Sequence, residues 1–420
     1  MTTGNDYTDT VLGNDIGVLR LPRKILFGPG QRRAVGQVAA EFGSRVLVCT
    51  DARLGASEEL EQMRQDLAEA GLAVHVFAET EAEVPVAGIA ACVETVRGLE
   101  IDAVIGFGGG SCLDMAKAVA VVLAHGGRPQ DYYGEGRVPG PIIPVIAVPT
   151  TAGTGSEATP VAVLADPELA LKVGISSAHL VPEVALVDPE LTHSCPAALT
   201  AACGIDAVVH LVEAFTAVRR PVTARLTTER VFVGKSDLTD AVALAGLQLM
   251  GRYLVTAYQQ PTNVEARHAV MRAALCGGVA LGTAGTAAAH ALQYPLGALT
   301  HTPHGFGTGC LLPYVMRFNF AARMREFAQI ATALGVDGGG GAEVDRARAG
   351  VEAVDALVAG VGIPPTLEAL GLRHDQLPLV AEQALLSKRL VENNPRPLDL
   401  SATTAIATAA FHGDLSFPAP

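Results

Sequence analysis

The chain has 420 residues, of which 49% are apolar and only 5% aromatic, with 45 glycines and no tryptophan. This length predicts two domains, and the composition excludes a disordered or fibrous protein. The 30 basic and 43 acidic residues give a net charge of −13, which argues against a nucleic-acid partner because such proteins carry a basic surface. The mean hydropathy is positive, but the sequence has no uninterrupted run of about 18 apolar residues, so no membrane span is predicted.

Two further features predict a cytoplasmic protein. Residues 1–10 have neither the basic start nor the apolar core of a secretion signal. The seven cysteines are scattered and form no C-x-x-C pair, which is typical of reduced thiols rather than of a disulfide framework.

Strand and helix patterns alternate in the first half of the chain. Short β-branched runs predict strands, and apolar residues three and four positions apart predict helices. The predicted strands are Arg45–Cys49, Ala73–Phe77, Asp102–Phe107 and Pro144–Val148, and the predicted helices are Glu58–Gly71, Ala87–Gly98 and Ser111–Leu123. This alternation predicts a parallel sheet with helices on both faces.

After Asp188 the chain changes to long Ala/Leu-rich segments with helical spacing. Pro189 favours a boundary here, because proline continues neither a helix nor a strand. We therefore predict an α/β domain over residues 1–190 and an all-helical domain over residues 191–420. The predicted helices are Pro196–Ala217, Leu238–Tyr258, Asn263–Leu281, Gly305–Met316, Met324–Leu334, Val344–Val361 and Ala402–Phe411, with a flexible loop at Gly338–Gly341.

Two loops at predicted strand ends suit a nucleotide. Gly106–Ser111 joins a strand to a helix, where free backbone N–H groups can bind a phosphate, although a plain capped turn is the alternative. Pro149–Glu157 carries four hydroxyls and two glycines, which suit phosphate, ribose or carboxamide groups. Asp51 ends an earlier strand and either caps the next helix or accepts hydrogen bonds from a ribose, which would favour NAD over NADP.

Four candidate metal ligands stand in or beside apolar helical segments. Asp206 and His210 are four residues apart and therefore share one helix face. His290 lies in another apolar helix, and His304 stands at a helix start marked by proline and glycine. Each histidine alone is more typical of a satisfied core residue. One carboxylate and three imidazoles together fit Fe(II) or Zn(II) better than Mg or Ca.

Six motifs follow one another in order along the chain. They are GGGS-x-x-D (Gly108–Asp114), P-T-T-A-G-T-G-S-E (Pro149–Glu157), V-D-P-E-L-T (Val187–Thr192), G-x-D-A-x-x-H-x-x-E (Gly204–Glu213), H-x-L-x-x-P-L-G-A (His290–Ala298) and T-P-H-G (Thr302–Gly305). In these motifs, and in Asn394-Pro395-Arg396, the chain resembles the iron-containing, or group III, alcohol dehydrogenases. The resemblance implies a dehydroquinate synthase-like fold, with an α/β nucleotide-binding domain, an all-α C-terminal domain and a metal in the cleft between them.

The resemblance also implies site residues, position by position. The implied metal ligands are Asp206, His210, His290 and His304, and the implied cofactor contacts are Gly108, Gly109, Gly110, Ser111, Asp114, Thr150, Thr151, Ser156 and Lys172, with Asp51 selecting NAD. Tyr294 stands where many members carry a histidine near the substrate, so it is a candidate substrate contact.

The implied activity is that of an NAD(H)-linked oxidoreductase, which interconverts an alcohol and its aldehyde or ketone by hydride transfer. Ionising an alcohol at pH 7 costs about 12 kcal/mol, and a divalent metal, Fe(II) or alternatively Zn(II), offsets this cost. A homodimer or larger homo-oligomer is expected. Two alternatives stay open: a metal-independent reductase resembling maleylacetate reductases, which the intact Asp206 disfavours, and a non-catalytic nucleotide-binding protein.

The segment Val218–Lys235, called the basic segment below, departs from the family pattern because it looks inserted. It holds five basic residues and a single acid within a strongly acidic chain. Arg219 and Arg220 are therefore predicted to recognise an anionic substrate, such as an alcohol bearing a carboxylate or phosphonate. A solvated or subunit-contacting loop is the alternative.

Overall fold

The computed structural model describes residues 16–169, 171–336 and 341–416 and divides into two compact units. Among the described residues, the α/β unit comprises Arg20–Ser194, and the helical unit comprises residues 195–416 together with residues 16–19. The observed division therefore falls after Ser194 rather than at residue 190. The start of the described chain groups with the helical unit because Gly17 lies against Leu238.

Two sequence predictions lie outside the described residues. These are the absence of a secretion signal in residues 1–10 and most of the flexible loop at Gly338–Gly341, of which only Gly341 is described. The seven cysteines are all described, and all are free thiols.

The described part of the α/β unit contains nine strands. They are β1 (Lys24–Phe27), β2 (Arg45–Cys49), β3 (Ala73–Phe77), β4 (Ala103–Gly108), β5 (Gly134–Glu135), β6 (Val145–Pro149), β7 (Val161–Asp166), β8 (Leu171–Ser176) and β9 (Val184–Val187). Six of them form a parallel sheet in the order β1-β9-β6-β4-β2-β3. β5, β8 and β7 form a second sheet, in which β7 and β8 are antiparallel.

The large sheet is covered on both faces, which explains its continuously apolar strands. The helices of this unit are α1 (Val35–Ala40), α2 (Ala52–Gly55), α3 (Glu58–Glu69), α4 (Val86–Thr95) and α5 (Gly110–His125). Leu47 and Val104 belong to one buried apolar cluster, whereas their chain neighbours Val46 and Ile105 belong to another. Since β2, β4 and β6 are adjacent and parallel, their carboxyl ends and the loops that follow them meet at one edge.

Helices dominate the second unit. They are α6 (Ala197–Thr216), α7 (Leu226–Glu229), α8 (Asp237–Gln259), α9 (Val264–Ala284), α10 (Ala288–Thr300), α11 (His304–Phe318), α12 (Met324–Ala333), α13 (Glu343–Gly360), α14 (Leu377–Ala384), α15 (Lys388–Asn393) and α16 (Leu400–His412). Side-chain caps fix several helix starts: Ser236 caps α8, Asn263 caps α9 and Asp399 caps α16.

The helix α6 is the central buried helix of this unit and packs against α8, α9 and α11. By length and composition alone it could cross a membrane, and the pair α9 and α10, bent by 104°, passes the same test taken together. However, 78% of the apolar window of α6 is buried within the protein, as expected for a core helix.

The predicted fold class, a parallel-sheet α/β domain followed by a helical domain, is confirmed by this architecture. The second sheet was not predicted. Its strand β7 alternates half-buried and buried residues, which is the period-two signal of a strand that is half exposed. The antiparallel pairing of β7 and β8 departs from the all-parallel sheet expected from the alternating pattern.

Candidate metal centre and nucleotide-binding loops

Asp206 and His210 project from the same face of α6, as their spacing predicts. Both are nearly buried, with 3% and 6% of their surface exposed. An ionisable pair on an apolar core helix is destabilising unless other groups satisfy it. This face of α6 therefore requires partners from neighbouring helices.

The other two candidate ligands lie at helix starts. His290 is in the first turn of α10, and His304 is the first residue of α11, directly after Pro303 in an extended conformation. His290 is buried, whereas the side chain of His304 is 31% exposed. Helix starts thus bring two imidazoles towards α6, and one of them faces accessible space.

The three imidazoles converge on the carboxylate of Asp206. Its oxygens lie 3.6 Å from Nε2 of His210, 3.8 Å from Nε2 of His290 and 3.7 Å from Nε2 of His304. The ring of His290 lies between the other two, with centroid distances of 4.9 Å to His210 and 5.3 Å to His304. The sequence could place each residue on a helix. The structure brings ligand atoms of Asp206, His290 and His304 within 4.8 Å of one another and places His210 beside Asp206.

This arrangement fits a divalent metal. The Asp206–Nε2 distances are too long for hydrogen bonds, and Nε2 of the buried His290 has no hydrogen-bond partner. Ligand atoms that each lie about 2 Å from a shared ion come to rest at about this separation. One carboxylate with three imidazoles is a donor set for Fe(II) or Zn(II).

The local charges favour the ionised, metal-binding form of Asp206 and make His290 a stronger base. Burial alone would raise the pKa of Asp206, but the three imidazoles and the hydroxyl of Thr308 hold it at about 2. Burial would lower the pKa of His290, whereas the charge and hydrogen bond of Glu213 raise it above its usual value. Asp206 is therefore ionised at neutral pH, and the imidazole of His290 is more basic than usual.

Glu213 is a site residue that the sequence reasoning did not single out. It is 2% exposed, and its carboxylate lies 2.7 Å from Nδ1 of His290. The same carboxylate accepts hydrogen bonds from the backbone N–H groups of Ala287 at 2.8 Å and Ala289 at 2.7 Å. Glu213 therefore both orients the imidazole and caps the start of α10. An acid seven residues after Asp206 on the same face of an apolar helix was the available signal.

Two further residues support the ligands. Oε1 of the fully buried Gln293 lies 2.7 Å from Nδ1 of His304. The hydroxyl of Thr308 donates to Asp206 at 2.9 Å. The sequence does not indicate these roles of Gln293 and Thr308. Each is an isolated polar residue in a largely apolar helix, and the ligand that it supports lies on another helix.

Tyr294 lies on α10 one turn after His290, and its ring centroid is 6.3 Å from that of His304. It is partly exposed, like His304. Its predicted contact with a substrate stays a prediction, and its position beside the most accessible candidate ligand supports it.

The predicted cofactor loops lie at adjacent strand ends of the α/β unit. Gly108 ends β4, and α5 begins at Gly110. The backbone N–H of Thr150, directly after β6, donates to the carbonyl of Gly108 at 2.9 Å. An added Cβ on Gly109 would lie 3.5 Å from the hydroxyl of Thr151, and one on Gly110 would collide with Thr154. The glycines therefore allow the two loops to pack closely at the N-terminus of α5.

Ser111 and Lys172 meet at a strained turn. Glu83 and Val84 have positive φ angles of 65° and 52°, which are unusual for non-glycine residues. The N–H of Glu83 donates to the hydroxyl of Ser111 at 3.2 Å, and its carboxylate pairs with Lys172 at 2.7 Å. Ser111 and Lys172 are thus close together, and Glu83 is a neighbour that the sequence did not indicate.

Asp114 and Ser156 are joined within the protein. The hydroxyl of Ser156 donates to Asp114 at 2.6 Å, and the other carboxylate oxygen accepts from the N–H of Val163 at 2.9 Å. The ammonium of the fully buried Lys117 donates to Ser156 at 2.8 Å and to the carbonyl of Thr159 at 2.9 Å. Their predicted contact with the cofactor is untested, and these bonds give them a role in holding the loop.

Asp51 caps a helix, which was one of its two predicted roles. Its carboxylate accepts from the N–H of Leu54 at 2.8 Å and lies 3.9 Å from the thiol of Cys112. Burial, followed by the charge of Asp51, raises the pKa of that thiol to about 12. Asp51 stands beside the start of α5, and its contact with a ribose stays a prediction.

Acidic residues from other parts of the chain balance part of the positive charge of the basic segment. Arg219 pairs with Asp237 at 2.5 Å and with Asp240 at 3.5 Å, both at the start of α8. Arg230 pairs with Glu392 at 3.2 Å. The acids that balance the segment stand elsewhere in the chain, so its local sequence overstated its charge. The substrate roles of Arg219 and Arg220 stay predictions.

Comparisons with known proteins match both units. The family model described as iron-containing alcohol dehydrogenase covers residues 22–189, and that of the C-terminal region of the same family covers residues 200–411. Sulfoacetaldehyde reductase of Bilophila wadsworthia is 32% identical over 93% of this chain and 97% of its own. A solved 1,3-propanediol oxidoreductase superposes with a TM-score of 0.88 at 32% identity, over 94% of this chain and 100% of its own. The structure of sulfoacetaldehyde reductase of Bifidobacterium kashiwanohense, solved in complex with NAD+, superposes with a TM-score of 0.80 at 27% identity. The match covers 95% of this chain and 100% of that one.

Proposed function

The chain belongs to the iron-containing alcohol dehydrogenase family, as its motifs predicted, and on that premise we propose that it uses NAD(H) and a divalent metal to interconvert a small alcohol and its aldehyde or ketone. Fe(II) is the proposed metal and Zn(II) the alternative. The observation that carries the proposal is the convergence of three Nε2 atoms on Asp206, with Nε2 of His290 buried and unpartnered.

The residues of the helical unit hold and orient the metal in this proposal. Asp206, His210, His290 and His304 bind it, and a divalent ion bound there lowers the pKa of an alcohol hydroxyl towards 7. His304 and Tyr294 are partly exposed and therefore border the space that the substrate enters. The buried partners Glu213 and Gln293 hold two imidazoles in place.

The α/β unit binds the dinucleotide in this proposal. The N-terminus of α5 and the backbone beside Gly109 bind the pyrophosphate. Thr151 borders the same site, because its hydroxyl lies 3.5 Å from the position that a Cβ on Gly109 would take. Asp51 accepts from the ribose and disfavours a 2′-phosphate, so we propose NAD rather than NADP.

Metal analysis and turnover test the proposal together. Protein purified without chelator is expected to contain about one Fe or Zn per chain and to reduce or oxidise NAD(H) with a panel of alcohols and aldehydes. His290→Ala is expected to fold but to lose bound metal and turnover. Full activity in that variant or in chelated enzyme would contradict the proposal and favour the metal-independent reductase. The absence of both bound metal and turnover would favour a non-catalytic nucleotide-binding protein.

An anionic substrate is the second candidate. Two compared proteins are named sulfoacetaldehyde reductases, and Arg219 and Arg220 are the predicted contacts. Since Arg219 already pairs with two carboxylates, an anion would compete with them. Replacing both arginines with glutamate is expected to raise KM for sulfoacetaldehyde and leave KM for neutral aldehydes unchanged. An equal effect on both classes would contradict this candidate.

We also propose a cytoplasmic location and a homo-oligomeric assembly. The seven free thiols support a reducing compartment, in agreement with the predicted cytoplasmic location. The expected homodimer or larger homo-oligomer is checked by light scattering of the purified protein.

A further inference from the structure

The basic segment (218–235) is attached to the helical unit at both ends. The N–H of Val218 donates to the carbonyl of Asn393 at 3.1 Å, and the N–H of Lys235 donates to the carbonyl of Val218 at 3.0 Å. The side chain of Lys235 is only 5% exposed and pairs with Asp240 at 2.7 Å and Glu326 at 3.4 Å. These contacts make the segment an integral part of the packed unit.

The second half of the segment is buried against the end of α9. Phe232 is 2% exposed and Val233 is 1% exposed. The N–H of Val233 donates to the carbonyl of Thr283, in the last turn of α9, at 2.9 Å. The guanidinium of Arg389 lies 4.3 Å from the centre of the Phe232 ring, so this aromatic side chain is held from the other side.

The turn between α9 and α10 is enclosed by Phe232 and Asn393. Gly285 has a φ of +80°, and an added Cβ there would lie 3.0 Å from the amide nitrogen of Asn393 and 3.4 Å from Cβ of Phe232. The same amide nitrogen donates to the carbonyls of Ala284 at 2.9 Å and Thr286 at 3.1 Å. The turn therefore has little room to shift while both side chains are present.

This turn leads directly to a candidate metal ligand. α10 begins three residues after Gly285, and His290 is in its first turn. Asp206 and His210 stand on α6, so a shift of the turn displaces His290 relative to both of them. Since a metal site requires its ligands within a few tenths of an ångström, the packing of the turn bears on the affinity for metal.

We propose that the basic segment is a positioning element for His290, acting through Phe232 on the turn at Gly285, and that it thereby sets the affinity for the divalent metal. The proposal rests on the proposed function, in which His290 binds that metal. It gives Phe232, rather than the arginines, the main role of the segment.

Cobalt titration of the metal-free full-length protein tests this inference, because Co²⁺ bound to imidazole and carboxylate ligands absorbs in the visible range. Phe232→Ala is expected to weaken Co²⁺ binding at least about tenfold, as loss of a ligand-supporting contact commonly does. Phe232→Leu, which keeps most of the apolar contact, is expected to lie between this variant and the wild type. Arg225→Ala is the control, because Arg225 is exposed, directly precedes α7 and pairs with Glu229 of that helix at 3.6 Å.

The melting temperature of each metal-free variant separates positioning from stability. A Co²⁺ affinity that is unchanged in Phe232→Ala, even with a lower melting temperature, would overturn the inference. If Phe232→Ala does not fold, an unchanged Co²⁺ affinity in Phe232→Leu would overturn the inference instead. A wild-type protein that binds no Co²⁺ would instead contradict the proposed function.

Discussion

At the scale of single residues, Glu213 determines what His290 can do. A neutral imidazole carries a proton on one nitrogen and offers a lone pair on the other. A carboxylate can only accept, so Glu213, 2.7 Å from Nδ1, keeps the proton there and leaves the lone pair of Nε2 facing Asp206. A glutamine at this position could donate to Nδ1 and reverse the tautomer.

Glu213→Gln is therefore expected to weaken binding of Co²⁺ or Zn²⁺ by about 10- to 100-fold. Metal titration of the chelated protein measures this change. Glu382→Gln, an exposed change of the same kind on α14, is the matched control. Equal affinities in the wild type and in Glu213→Gln would show that the carboxylate serves only as a helix cap.

A second buried acid, Glu157, makes stability depend on pH. Burial is the main reason why its pKa is raised from 4.5 to about 7, although Lys117 opposes the shift. The folded protein thus binds more protons than the unfolded chain between these pH values, so its stability falls as the pH rises through this window.

Glu157→Gln removes this penalty. Since one unit of pKa corresponds to about 1.4 kcal/mol, the variant is expected to exceed the wild type in free energy of unfolding by up to about 3 kcal/mol at pH 8. The two are expected to be nearly equal near pH 4.5, where the glutamate is protonated in the folded protein and half protonated in the unfolded chain. Urea denaturation at both pH values measures the difference, and a gap that does not change with pH would refute the assignment to Glu157.

At the scale of secondary-structure elements, Lys117 joins α5 to the loop after β6 and to the start of β7. Its ammonium donates to Ser156, to both oxygens of Thr159 and to the carbonyl of Val161, at 2.8 to 3.1 Å. Burial, the largest effect, lowers its pKa to about 8, although Asp114 and Glu157 oppose this. The helix that begins at the glycine loop and the loop after β6 are therefore held by one side chain.

Lys117→Met is expected to leave two acids buried without their cation, which destabilises the α/β unit by about 3 kcal/mol. The loops should also lose their relative position, so the Kd for NAD+ is expected to rise. Denaturation and isothermal titration calorimetry measure the two effects. Weaker NAD+ binding without a loss of stability would mean that Lys117 contacts the cofactor itself.

The sequence predicted those candidate ligands that depend on local helix geometry, and it missed the contacts that depend on distant parts of the chain. The pair Asp206 and His210 follows from one helix face, and His304 follows from a proline-marked helix start, because both are local properties of the chain. Glu213 and Gln293 were missed because their partners lie 77 and 11 residues away in the chain. The sheet containing β7 and β8 was missed because weak alternation does not reveal which strands pair.

At the scale of the whole molecule, the two sets of candidate site residues divide between the units. The four candidate metal ligands lie in the unit that starts at Cys195, and every candidate cofactor contact lies in Arg20–Ser194. The described part of each unit buries apolar side chains of its own, such as Leu47 in the α/β unit and Leu311 in the helical unit. This division is consistent with two family models that match separate stretches of the chain.

The division predicts that each ligand stabilises a different unit. A metal at 100 times its Kd adds about 2.7 kcal/mol to the state that binds it, and this gain is expected mainly in the helical unit. NAD+ is expected to act mainly on the α/β unit. Because the chain has no tryptophan, hydrogen exchange followed by mass spectrometry is the suitable measurement.

Peptides from α6, α10 and α11 should gain protection when Zn²⁺ is added to the chelated protein, whereas peptides from β2, β4 and α5 should gain it with NAD+. His290→Ala is the control, because it should abolish the response to Zn²⁺ and keep the response to NAD+. Equal protection of both units by Zn²⁺ would contradict the division, because a metal held by four residues of the helical unit stabilises directly only the fold that brings those residues together.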